Sequence, residues 1–235
     1  MNVSTMRNKK FFVPLSRLTG LCLFMFGLSC VAAAQVPVDQ EPRHRVVFAN
    51  EALRVLDVNV AARDTTLDHM HQNDIATVCI SCPETRTRTQ GADWGAPRTR
   101  LVGEPNVTEY SGKPDSHRLQ NLGNSVYRLI AVENVRKGSW SERAPVSGAA
   151  AKMLNQTRAF RVYDVHVASS GSMPSHSHSS PTVVVLVAGE TVARDERTPK
   201  VLDQPGQWIL IPQGEAHRIT TRGTGAVHAV EIEVR

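Results

Sequence analysis

Two short histidine pairs carry the plainest chemistry in the sequence, His69-Met70-His71 and His176-Ser177-His178. In an extended strand residues i and i+2 face the same side, so each pair offers two imidazoles side by side. That is the geometry for holding a metal ion. A third histidine follows each pair, His117 at 46 residues after His71 and His217 at 39 residues after His178. Three imidazoles with open coordination positions suit a catalytic zinc or a redox metal such as Fe, Mn, Cu or Ni. One H-x-H is weak evidence. The same arrangement twice in one chain is much stronger. The competing reading is a set of surface histidines, because Ser172 to Ser180 is a polar, serine-rich loop.

The repetition extends beyond the histidines. Residues 54–60 read Arg-Val-Leu-Asp-Val-Asn-Val, and residues 161–167 read Arg-Val-Tyr-Asp-Val-His-Val. The offset of 107 also superposes the two H-x-H pairs, and 9 of 27 positions are identical between 54–80 and 161–187. Further on, His117-Arg118 echoes His217-Arg218, and Ala131-Val132-Glu133 echoes Ala229-Val230-Glu231. The chain reads as an internal duplication of about 100 residues per unit, two domains of like fold.

The elements that must position these side chains are strands. Residues 53–60 and 160–167 alternate apolar and polar side chains, the period of a half-buried strand. Residues 75–80 and 182–187 are β-branched runs suited to burial on both faces. Runs at 126–132, 207–211 and 226–234 add more, with Gly, Pro, Asn and Asp between them. This pattern predicts an all-β sandwich or barrel. A cluster of Gly138, Ser139, Ser141, Pro145, Ser147 and Gly148 marks a linker near 138–157, with a short helix expected over 149–154. The insert at 83–112 carries Thr85-Arg86-Thr87-Arg88-Thr89 with Arg98 and Arg100. It reads as a solvated hairpin in preference to a basic lid over a site.

The remaining features bound the class. The chain has 235 residues, 41% hydrophobic content and a formal charge of +5. Arg7, Lys9, Lys10 and Arg17 fall in residues 1–34 with no acid, leaving 23 basic against 22 acidic side chains beyond. No basic nucleic-acid stripe therefore remains, and the first 34 residues read as a secretory signal. Basic residues precede an apolar stretch of residues 18–31, and Ala32-Ala33-Ala34 suits cleavage before Gln35. The apolar run is short of the ~20 residues that span a bilayer. The expectation is an exported protein, periplasmic or secreted, with no membrane association after cleavage. Cys30 offers a lipoprotein reading, ranked second because Leu is not three places before it. Cys79 and Cys82 are the cysteines that remain; a strand-end disulfide and two packed thiols are both open, while redox catalysis is disfavoured by Pro83.

At this point the sequence resembles the cupin superfamily. Its second motif, G-x5-P-x-G-x2-H-x3-N, is met by Gly206, Pro212, Gly214 and His217, with Thr221 in place of the final Asn. Its first, G-x5-H-x-H-x3,4-E-x6-G, is matched by His176, His178 and Gly189, with Gly171 one residue closer to His176 than the motif has it and Thr182 where Glu is expected. The N-terminal unit is looser: it keeps His69, His71, His117 and Asn121, has Ile75 for the Glu and Cys82 for the closing Gly, and lacks P-x-G. Asp74, one place early, is a partial substitute for the Glu. The resemblance implies two tandem cupin-type jelly-roll barrels after a signal peptide: 1–34 signal, 40–137 N-terminal cupin with degenerate motifs, 138–157 linker and 158–235 C-terminal cupin. It implies a divalent metal, of undetermined identity, held by His69, His71 and His117 in one barrel and by His176, His178 and His217 in the other. It also allows a homodimer through edge strands.

A site of three histidines without the Glu would leave the full metal charge facing the cavity. An anionic or enolic oxygen donor is then expected to complete the shell, and a bound water to be acidified. The reading that follows is a metal-dependent enzyme of dioxygenase type acting on a small substrate, with no catalytic side chain assigned. The alternatives are a metal-dependent isomerase or lyase on a sugar acid or keto acid, and a non-catalytic binding or structural cupin. The degenerate N-terminal motifs suit one active and one structural barrel. Glu215, near His217, reads as a surface-turn carboxylate. His166, beside Asp164, reads as a satisfied strand-face histidine. His44 and His228 lack repeated partners, and Asp57 with Arg54 and Asp164 with Arg161 read as structural strand pairs.

Overall fold

The computed structural model describes Met1 and residues 35–136, 151–193 and 199–235. The expected signal segment and most of the expected linker lie outside the described residues. Everything that follows belongs to one compact unit, Ala33–Arg235.

The first barrel opposes two sheets. One carries β2 (His44–Ala49), β3 (Leu53–Val60), β9 (Tyr127–Asn134), β5 (Asp74–Ser81) and β7 (Pro105–Thr108), in that order. The other carries β1 (Val36–Pro37), β4 (His69–His71), β8 (Asp115–Asn121) and β6 (Thr85–Thr89). The second barrel repeats the plan. Its larger sheet orders β10 (Ala151–Gln156), β11 (Phe160–Val167), β17 (Val227–Val234), β12 (Thr182–Ala188) and β15 (Trp208–Ile211). Its smaller sheet orders β14 (Lys200–Leu202), β13 (Thr191–Ala193) and β16 (Ile219–Thr221). The long strands pair antiparallel; β1 alone among the described strands runs parallel to its neighbour, with Val36 beside His69. Two facing sheets per repeat, the final long strand placed beside the first, make the jelly roll that the β-rich pattern predicts.

Of the helix expected over 149–154, the described residues 151–154 are strand instead. Ala151–Gln156 is β10, an edge strand paired to β11. Met153 and Leu154 suit a helix by propensity, but the open edge of β11 offers hydrogen bonds that outweigh so weak a preference.

Alternation along the strands divides the interior. On β3, Leu56, Val58 and Val60 enter the first barrel, while Leu53 and Val55 face the other way. On β11, Tyr163, Val165 and Val167 enter the second barrel, while Phe160 and Val162 face out of it. The outward faces of the two large sheets meet. Leu53, Val55, Val78, Ile130 and Val132 pack with Phe160, Val162, Val183, Val230 and Ile232 in one core, so the barrels stand back to back. Phe48 of β2 closes edge-on against Trp208 of β15 at 5.9 Å. Both barrels are thus anchored through backs that carry none of the six histidines of the two H-x-H clusters.

The duplication is exact in register where the sequence echo was not. Glu133 lies opposite Arg54 and Ile75, and Glu233 lies opposite Arg161 and Thr182. Glu133 therefore corresponds to Glu233, and the partner of Glu231 is Ala131. The echo of 131–133 in 229–231 is displaced by two residues, one pleat, which preserves the face and so escapes notice in a period-2 pattern.

Candidate metal centres

In the first barrel His69 and His117 lie opposite one another across β4 and β8, and His71 follows on the same face. The rings stand 4.6 Å (His69–His117), 4.9 Å (His71–His117) and 5.1 Å (His69–His71) apart between centroids. One ring nitrogen of each lies within 4.8 Å of the others. Nδ1 of His69 donates to the Leu67 carbonyl at 2.9 Å, which leaves Nε2 with its lone pair. That Nε2 and Nδ1 of His71 are buried without a hydrogen-bond partner. Burial first, and then neighbouring histidines, push His69 down to about 3 and His71 to about 2. Burial likewise lowers His117 to about 4. All three are neutral at pH 7, the form that ligates a metal. Two buried nitrogens without partners fit that purpose and are costly otherwise.

A cavity of about 220 Å³ opens in front of this cluster. Arg98, Arg100, Tyr110, Thr87 and Asn106 line it together with the three histidines. The insert is therefore more than a solvated hairpin. Thr87 and Thr89 of β6 face the cavity, whereas Arg86 and Arg88 project to the other side and lie over Trp94 at 4.7 and 5.4 Å. Arg100 is held by Thr77 Oγ1 at 3.2 Å and by the Glu104 carbonyl. Arg98 is exposed, and among the described residues no carboxylate pairs with its guanidinium. Tyr110 stacks on His71 at 4.7 Å. His44, without a repeated counterpart in sequence, also lines the cavity; its ring lies 4.5 Å from His69 and its Nδ1 2.7 Å from Glu41.

In the second barrel His176 and His217 bridge across the smaller wall, and His178 completes the set. Here the missing carboxylate is present, but from another strand. Glu231 of β17 lies fully buried among the three rings. Its Oε2 is 3.3 Å from His176 Nε2 and 3.2 Å from His178 Nε2, and its Oε1 is 3.1 Å from His217 Nε2. Four donors converge, three imidazoles and one carboxylate. The expectation of a site without Glu is corrected for this barrel. Thr182, at the motif position, bonds the Ser180 carbonyl instead. Nδ1 of His176 lies 3.1 Å from the Pro174 carbonyl, as His69 Nδ1 lies beside Leu67, so both ring nitrogens of His176 face acceptors. Such an arrangement calls for a cation between them, a metal ion or protons. Burial opposes the charge on Glu231, yet hydrogen bonds from His176, His178 and His217 hold its carboxyl well below the usual range. Glu233 stands behind His178 and accepts from Ser179 N–H and Oγ–H at 3.1 and 2.7 Å. The interior beyond is packed with Tyr163, Met173, Leu186, Ile209, Ile211 and Ile219.

Several other residues are relocated. Asp74, the expected stand-in for Glu, opens β5 and accepts from Ser111 N–H and Oγ–H at 2.7 and 2.9 Å, away from the histidine cluster. Asn121, at the motif's final position, donates to the carbonyls of Val60, Ala61 and Ser125 and ties loop ends together. Thr221 does a similar duty toward Gly171. Arg54 pairs with Glu133 and Arg161 with Glu233, not with Asp57 and Asp164 as expected. Glu215 sits in the turn after Pro212. Cys79 and Cys82 form a disulfide.

No family model and no characterised sequence matches the chain. Solved structures do match in fold. AerE from Microcystis aeruginosa aligns with a TM-score of 0.60 at 12% identity, over 83% of this chain and 98% of that one. A cupin 2 conserved barrel domain protein from Leptotrichia buccalis aligns at 0.55 and 11%, over 81% and 87%. A salicylate 1,2-dioxygenase from Pseudaminobacter salicylatoxidans aligns at 0.59 and 10%, over 83% and 77%. With two jelly rolls in tandem, a histidine cluster in each and these likenesses, the chain has the cupin fold, built twice.

Proposed function

We propose that this protein is an exported, metal-dependent enzyme of dioxygenase type that acts on a small anionic or enolic substrate in its first barrel. The observation that carries the reading is the cavity in front of His69, His71 and His117, which opens beside the unpaired guanidinium of Arg98. The three histidines would hold the metal. A redox-active divalent metal, when bound, supplies the Lewis acidity and electron exchange that dioxygenation needs. Because Ala131 stands where the second barrel has Glu231, no carboxylate of the described residues lies among the three rings, although Asp115 lines the cavity, and an anionic group beside Arg98 would complete the shell of a bound cation. Arg98 orients the substrate through its charge, Arg100 is fixed in place by Thr77, and Tyr110 walls one side and keeps water from His71. The likeness to a salicylate dioxygenase supports the choice of reaction type at the level of fold.

The second barrel reads differently. Its four-donor cluster is closed over by a packed interior, which favours a retained, structural metal held by His176, His178, His217 and Glu231. The assignment of the working site thus favours the barrel with the weaker motifs. Oxygen consumption by the Fe(II)-, Mn(II)- and Cu(II)-loaded protein, screened over aromatic hydroxy acids and enolic keto acids, tests the reaction. Loss of uptake in His69→Ala/His71→Ala with retention in His176→Ala/His178→Ala supports it; the reverse pattern, or no uptake with any substrate of these classes, contradicts it. N-terminal sequencing of the exported protein, expected to begin at Gln35, tests the localisation.

A further inference from the structure

A third group of metal-ligating side chains lies outside both barrels. Asp164 and His166 are alternate residues of β11, and His228 of β17 lies directly opposite His166. The strand period sets all three on one face, the outer face near the rim of the seam between barrels. His228 Nε2 is 2.7 Å from Asp164 Oδ1, and His166 Nε2 is 3.0 Å from Asp164 Oδ2. The two rings stack at 4.2 Å with 16° between planes. One ligand atom from each residue lies within 4.8 Å of the other two.

The first barrel shows what the same position looks like without this chemistry. By register, Asp57 corresponds to Asp164, Asn59 to His166 and Arg128 to His228. Asp57 is bound by permanent cations, Arg128 at 3.0 Å and Arg45 at 3.1 Å, and by the amide of Asn59 at 2.9 Å. In the second barrel both partners are imidazoles. Among the described residues no arginine or lysine pairs with Asp164; Lys152, its register neighbour on β10, is exposed. The fixed cations have been exchanged for two ligands that a metal can share with the carboxylate.

The surroundings are also built around His228. Gly103, in the loop before β7, has φ +84°, and a Cβ there would stand 2.3 Å from His228 Cε1. The first barrel's loop thus packs on the ring and limits its rotation. His166 is open to solvent, with 64% of its side chain exposed, and is free to turn its Nε2 toward an ion.

We propose that Asp164, His166 and His228 form a divalent transition-metal site at the seam between the barrels, separate from both barrel clusters. Two imidazoles and one carboxylate with the remaining positions open to water suit Zn2+, Cu2+ or Ni2+ and disfavour Mg2+ or Ca2+. Each ring ligates through Nε2 as its proton moves to Nδ1 by exchange with water, and the ion ties β11 to β17 beside the Gly103 loop.

The test does not depend on catalysis. The full protein, with its barrel metals in place, is titrated with Zn2+ against a chromophoric chelator, and with Cu2+ under electron paramagnetic resonance. The expected result is one further equivalent, with imidazole nitrogen coupling in the copper spectrum. His166→Gln, at an exposed side chain, should weaken that equivalent by at least about tenfold and simplify the nitrogen coupling, and His228→Gln should do the same. His69→Ala/His71→Ala should leave it unchanged. No further equivalent in the wild-type protein, or an unaltered titration in His166→Gln, overturns the proposal.

Discussion

Glu231 and Ala131 occupy one register position in two barrels, and the difference sets the charge of each cluster. Glu231→Gln keeps the shape and removes the charge. Metal retention by the second barrel should fall by at least about tenfold, read by metal analysis after dialysis, while the first barrel keeps its ion. Ala131→Glu makes the opposite change. It should raise metal retention by the first barrel and suppress binding of anionic ligands there, as isothermal titration with simple carboxylates would register. Arg98→Ala tests the other half of the anion argument. Loss of a charge-assisted contact, worth ~1.5–3 kcal/mol, should raise KM for anionic substrates about tenfold or more, with metal content unchanged. A substrate whose KM does not move would remove Arg98 from the site. The six histidines were legible at this scale because their spacing recurs. Glu231 was not, because the motif directs attention to the strand that bears Thr182, while the carboxylate arrives from a strand some 50 residues later in the chain. The alternation Glu231-Ile232-Glu233, two carboxylates on the inward face of a buried strand, was the available signal.

Strands explain both the successes and the failures of the sequence reading. The long alternating runs became β3, β11, β9 and β17 because period 2 with one buried face admits little else. The segment at 149–154 went astray because propensity describes an isolated chain and β10 is made by an open sheet edge. Alternation divides the insert's own strand, since Thr87 and Thr89 face the cavity while Arg86 and Arg88 lie over Trp94, and the basic residues that do reach the cavity, Arg98 and Arg100, come from the loop beyond. The turn before β2 gives a further prediction. Glu41 is buried and accepts bonds from His44, Arg43 N–H and Leu67 N–H. Burial alone would raise its pKa; these donors reverse the effect and bring it down to about 2. Because the folded value lies below the unfolded one, the stabilisation is complete above about pH 4.5 and is lost as pH falls toward about 2. Glu41→Gln should therefore lower the Tm at pH 7 and flatten the loss of stability between those values. An unchanged acid limb in thermal melts would show that Glu41 does not set it.

The molecule as a whole is two similar barrels joined by their backs, which leaves each cluster at its own end of the fold. The shared core of Val132, Ile130, Val162, Val183 and Ile232 makes the barrels one folding unit. Ile232→Ala should cost about 2–5 kcal/mol, and the melt should stay a single transition; two separated transitions would mean that the barrels fold independently. Duplication followed by divergence has left a cavity and a three-histidine cluster in one barrel, and a fourth, carboxylate donor and a filled interior in the other. The fidelity of a motif therefore did not identify the open site, because the motif records ligands and strand turns, while access is decided by side chains distributed over the whole wall. The central claim is that each barrel holds its own metal, the first through three histidines and the second through three histidines and Glu231. Metal analysis of the purified protein beside His69→Ala/His71→Ala and His176→Ala/His178→Ala tests it most directly. Two ions in the barrels, with one lost in each double variant, is the predicted result; barrel metal that is absent under every loading condition, or that survives both double variants, would contradict it.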